Sequence, residues 1–110
     1  MKVNILGTVY TIIEADEAKD KCLKHCDGYC DKTTKRIVVG KPKEDADLGD
    51  FEVYKRKVMR HEILHAFLFE SGLHENWSHP EFGHDETYLD WFACQFPKIM
   101  AVYKKCGCLK

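Results

Sequence analysis

Along residues 2–14 the β-prone apolar positions Val3 and Ile5, then Val9, Ile12 and Ile13, are broken by Gly7 and Thr8. That pattern predicts strand, turn, strand. Residues 15–26 are rich in Ala, Lys, Asp and Glu and predict a short helix, with Cys22 and Cys26 four apart on one face. Gly28-Tyr29-Cys30-Asp31, the polar tetrad Lys32-Thr33-Thr34-Lys35 and the strand-like run Arg36-Ile37-Val38-Val39 read as a hairpin over 28–39. Gly40 and Pro42 end it, and residues 40–50 form a polar loop.

The strongest periodic segment runs from Phe51 to Ser71, and Gly72 stands where a helix C-terminus favours glycine. Val58, His61, His65 and Leu68 trace one stripe, and Met59, Ile63 and Phe67 another, so this helix is expected to be largely buried. Residues 73–84 form a second loop. A last helix begins near Asp85 and carries Tyr88, Leu89, Trp91, Phe92 and Phe96. Pro97 is expected to kink it or start a new turn. Residues 98–105 continue as helix, and Cys106-Gly107-Cys108 ends it. The 110 residues are expected to make a single domain, 1–110.

Apolar residues at 45% and charged residues at 32% fit a globular chain and exclude a disordered one. With 17 basic against 18 acidic residues, the net charge of −1 gives no field to draw nucleic acid or an anionic membrane. Lys55-Arg56-Lys57 therefore reads as a solvated helix face. No apolar run approaches the ~18 residues of a membrane span, and the first apolar run is too short for a signal peptide, so the cytoplasm is the expected compartment. In that setting the six cysteines, at 22, 26, 30, 94, 106 and 108, read as small buried hydrophobes and a frayed, thiol-bearing tail. Their spacings lack the paired CxxC of a zinc ribbon.

Residues 61–65 read His-Glu-Ile-Leu-His. On a helix, positions i and i+4 lie one above the other, so His61 and His65 can grip one Zn²⁺ from the same side. Glu62 then stands beside the metal, placed to take a proton from an activated water. A catalytic zinc needs a third protein ligand. Leu68 and Ser71 occupy the positions where the metzincin extension has Gly and His, so that ligand comes from elsewhere. Glu86 is favoured, with His84, Asp85 and Asp90 as rivals. Asp90, one turn beyond Glu86, can accept the Nδ1–H of a ligand imidazole. Loop histidines His74 and His79 are expected to be solvated, and Tyr88 is a candidate for stabilising a tetrahedral transition state.

With His61-Glu62-x-x-His65 followed by Glu86 and, four later, Asp90, the chain resembles the gluzincins, the HExxH zinc peptidases with a glutamate third ligand. In size it is similar to the minimal HExxH proteins of bacteria and their phages, the ImmA/IrrE-like and SprT-like groups. The likeness rests on Gly28-Tyr29-Cys30-Asp31 leading into Ile37-Val38-Val39, and on Phe92-Ala93 with Pro97. The ImmA/IrrE-like proteins usually carry a metal-binding glutamate four residues before Phe-Ala, where this chain has Tyr88. The resemblance implies an α+β, zincin-like fold: a short antiparallel sheet packed against the motif helix and a C-terminal helix. It also implies hydrolysis of intracellular proteins such as repressors. The competing expectation is a zinc-stabilised protein-binding module without catalysis.

Overall fold

A computed structural model describes residues 1–43, 47–75, 78 and 83–109. The fold is α+β, a four-stranded sheet with two long helices. Strands β1 (Lys2–Ile5) and β2 (Thr8–Ala15) form a hairpin, as do β3 (Gly28–Asp31) and β4 (Arg36–Gly40). The two hairpins join through their second strands, which run parallel and pair Thr11 with Arg36 and Ala15 with Gly40. The order is β1-β2-β4-β3, so the sheet is mixed rather than wholly antiparallel. The reason is the connection after β2: it carries the chain past the β4 position, β3 runs back along the far edge, and β4 then fills the gap beside β2.

That connection is not the helix its composition predicts. Only Lys21–Lys24 forms a single 3₁₀ turn. Asp16 and Asp20 turn their carboxylates onto the backbone N–H groups of Ala18 and Cys22, offering the chain local bonds in place of a helical ladder. Leu23 in this turn is fully buried.

Helix α1 (Phe51–Ser71) starts at Asp50, whose side chain accepts from the N–H of Val53, and stops at Gly72 in the left-handed conformation (φ 79°). It packs over β3 and β4 and touches β1. Strand alternation sends Tyr10, Ile12, Ile37 and Val39 into the core beneath it, joined by Val58 and Ala66. Val38 is shut from solvent as well, on the opposite face of β4. The buried stripe of α1 is thus Val58, Glu62 and Ala66, one helical turn apart each, narrower than the periodicity suggests. Phe67 is exposed, because the sheet is too small to cover more than one face of the helix.

Glu70, in the last turn of α1, ties the helix to the sheet. Its carboxylate accepts from the hydroxyls of Thr8 and Tyr10 and from Lys35 at 2.7–2.9 Å. These bonds hold its pKa down at about 2. The basic run before the motif is also tied down: Lys55 pairs with Glu14 and Glu52, and Lys57 with Asp90, leaving Arg56 as its exposed member.

Helix α2 (Glu86–Cys106) is capped by Asp85, whose side chain accepts from the N–H of Tyr88. It runs unbroken through Pro97. Proline has no N–H, so the Ala93 carbonyl loses its usual donor four residues on. Arg60 of α1 supplies one instead, Nε to Ala93 O at 2.6 Å. The helix stays ordered to Gly107, a left-handed cap, so its cysteine-bearing end is not frayed before that point. The six thiols are free, and none is fully buried: Cys26 and Cys30 are half-buried, the other four exposed. Among the described residues no helix is long and apolar enough to cross a membrane.

Candidate metal centre

The side chains of His61 and His65 lie one turn apart on α1, each only 12% exposed. Their Nε2 atoms face one another at 3.2 Å. Into the same space α2 brings its first residue. Glu86 Oε2 is 2.8 Å from His61 Nε2, and Oε1 is 3.0 Å from His65 Nε2. These three residues form the one group of metal-binding side chains found among the described residues with donor atoms converging on a common point. Asp90 meets Lys57 and His61 while Glu86 meets His61 and His65, so α2 runs back along α1 as the 20-residue spacing allows.

The donor set suits zinc. Ligand bonds of about 2.0–2.2 Å in a tetrahedron need donor atoms roughly 3.3 Å apart. The two imidazoles meet that spacing. Glu86, whose side chain is 70% exposed, is free to swing outward by the few tenths of an ångström its oxygens lack. The protons can be placed with a cation at the centre, as they can with a doubly protonated His61 when the centre is empty. A neutral imidazole has one N–H, and His61 faces a carboxylate at both nitrogens: Asp90 Oδ1 lies 3.4 Å from Nδ1, and Glu86 is at Nε2. A cation at the centre satisfies the Nε2 lone pairs and the Glu86 carboxylate together, leaving His61 Nδ1–H for Asp90. Lys57 Nζ, 2.9 Å from Asp90 Oδ1, keeps that carboxylate ionised and holds its pKa down. Burial pushes the His65 pKa down, which favours the neutral ligand form.

Glu62 is the only fully buried charged residue among those described, 8% exposed. Burial, and then the charge of Glu86, raise its pKa to about 7. It sits at the floor of a cleft between α1 and the edge strand β3. Two concavities, of about 190 and 510 Å³, flank the cluster and share Cys26, Gly28, Glu62 and Glu86 as walls. Gly28 is what lets β3 approach so closely: a Cβ there would come within 2.8 Å of Val58 Cγ1, 2.9 Å of the Val38 carbonyl oxygen and 3.4 Å of Glu62 Cγ. Phe69 and His84 close the wider end.

The structure therefore gathers His61, Glu62, His65, Glu86 and Asp90, and leaves three other candidates out. Asp85 is engaged as the α2 cap. His84 contacts His65 through Nδ1, on the ring edge away from the cluster, and stands outside the converging group. Tyr88 is two residues beyond Glu86, on the other side of the helix. It is 57% exposed, with its ring stacked on Trp91, and does not reach the cleft. His74 is not solvated: it packs edge-on against Phe69 at 5.1 Å and lies 2.8 Å from a Glu75 oxygen. His79 lies outside the described residues. Lys57 and Gly28 went unforeseen. A lysine one turn before a motif histidine is a faint signal, and nothing local marks a glycine whose neighbour is a distant helix.

Protein-family models give no match to this chain, and neither curated proteins nor solved structures show one.

Proposed function

We propose that the chain is a zinc-dependent peptidase in which His61, His65 and Glu86 hold the metal and Glu62 is the general base. The observation that carries this reading is the convergence of two imidazole nitrogens and one carboxylate within 3.2 Å, beside a buried, otherwise unused carboxylate. Zinc held there supplies Lewis acidity, polarising a carbonyl and easing deprotonation of water. Glu62 takes the proton from the attacking water on a carboxylate oxygen and delivers it to the leaving amine nitrogen. A pKa raised by burial makes it a better-matched base near neutrality than a solvated carboxylate. Asp90 orients the His61 ring, and Lys57 holds Asp90. The cleft beside β3 is open to an extended segment of a protein substrate. The resemblance to minimal HExxH proteins suggests intracellular proteins such as repressors.

The test is to load the chain with zinc, measure metal content, and follow cleavage of a quenched-fluorescent peptide library. Glu62→Gln is expected to retain one equivalent of zinc and to lose cleavage by at least two orders of magnitude, on the scale of a general base. Cleavage undiminished in that variant would remove Glu62 from the role. A wild-type chain that binds zinc tightly and cleaves nothing would instead support the binding-module reading.

A further inference from the structure

The two ligand imidazoles lean on different outer partners. His61 has the Asp90 carboxylate at 3.4 Å from Nδ1. His65 has another imidazole: its Nδ1 lies 2.7 Å from His84 Nδ1, with the rings near-parallel at 12° and centroids 5.0 Å apart. Two nitrogens at that distance share one proton, one ring donating and the other accepting. For His65 to turn an Nε2 lone pair toward Glu86 and His61, its own proton must be on Nδ1. His84 Nδ1 must then be the acceptor, with the His84 proton on Nε2, an atom closed off from solvent.

We propose that His84 is the positioning residue for His65, accepting its Nδ1–H and so fixing the ring and tautomer that present Nε2 to the metal. The inference rests on the zinc-centre reading above. His84 performs for one ligand what Asp90 performs for the other, with a neutral acceptor in place of an anion. The opposite arrangement, His84 Nδ1–H donating to His65, puts a proton on His65 Nε2 against Glu86 Oε1 and closes that nitrogen to a cation. The His65–His84 pair therefore has a metal-receptive and a metal-refusing tautomer, and zinc selects the first. His84 packs against Phe69 as well, with ring centroids 4.5 Å apart and planes tilted by 32°. Its hydrogen bond is to His65, and at the cleft it forms only the outer wall, so its role is positioning rather than catalytic.

The experiment separates acceptor from stack. His84→Phe keeps an aromatic ring against His65 and Phe69 and removes the acceptor. His84→Asn keeps an oxygen near the Nδ1 position and removes the ring. Zinc affinity is read by competition with a chromophoric chelator, on chains whose folding is checked by circular dichroism. His84→Phe is expected to weaken zinc binding about 10–100-fold, the usual cost of losing an outer partner, and His84→Asn to stay close to wild type. Nitrogen-15 shifts of the zinc-loaded wild-type protein are expected to show His65 protonated at Nδ1 and His84 unprotonated there. Wild-type affinity in His84→Phe, equal losses in both variants, or the reverse tautomers would overturn the proposal while leaving the metal centre standing. Failure of the wild-type chain to bind zinc would overturn the centre, and this proposal with it.

Discussion

Replacing Arg60 by Met keeps a long apolar stem in the groove between the helices, beside Ile63, Phe67 and Phe96, but withdraws the N–H that reaches the Ala93 carbonyl. Ala93 is fully buried, so its oxygen has poor access to water in exchange. A hydrogen bond from a charged donor to such an acceptor contributes about 1.5–3 kcal/mol. For a domain near this size each kcal/mol moves Tm by roughly 4–8 °C, so Arg60→Met is expected to melt roughly 6–24 °C lower. The cause is testable by a double-mutant cycle. Pro97→Ala restores an N–H four residues after Ala93, and with it the ordinary helical donor. In that background Arg60→Met is expected to cost less than about 0.5 kcal/mol, a coupling of about 1–3 kcal/mol. Urea denaturation of the four metal-free chains, with matched m-values, measures it. An equal cost of Arg60→Met with and without the proline would refute the account, and the arginine would then act through its stem alone.

Two further outcomes follow from the packing. Gly28→Ala forces a methyl against the Val38 carbonyl and Val58, and is expected to destabilise by about 1–3 kcal/mol, whereas Gly49→Ala, with nothing within 4 Å, should change little; melting curves of the pair check this. Glu70 has a folded pKa of about 2, below its unfolded value, so its contribution is present above about pH 4.5 and is lost as pH falls toward 2. Glu70→Gln should therefore lower stability at pH 7 by about 1–3 kcal/mol and flatten the acid limb of the stability profile. An unchanged limb would show that other carboxylates drive acid unfolding.

The sequence made the helices and the histidine pair legible because both are local. Asp50, Gly72, Asp85 and Gly107 mark helix ends by their own chemistry, and a 61/65 spacing puts two rings on one face wherever the helix lies. Glu86 and Asp90 were readable for the same reason, as an i, i+4 pair. What escaped was set by distant neighbours. The width of the buried stripe on α1 depends on how much sheet lies beneath it, which is why Phe67 is exposed and Glu62 buried. The parallel pairing of β2 with β4 follows from a crossover that no window of residues reveals. The 15–26 segment has a helix-like composition but forms only one 3₁₀ turn, because Asp16 and Asp20 serve as turn acceptors. His84 looked like a ligand candidate because its type is right, and only geometry shows which nitrogen of His65 it meets.

The join between the two hairpins has a consequence for how the chain folds. Each hairpin closes over a short turn, a microsecond event, but the sheet becomes one only when residues as far apart in sequence as Thr11 and Arg36 find each other. The motif helix spans that seam from above, resting on strands of both hairpins. Assembly of the seam should therefore be the late and slow step. A chain stalled before it would offer the histidine-bearing helix only the β3–β4 half of its floor.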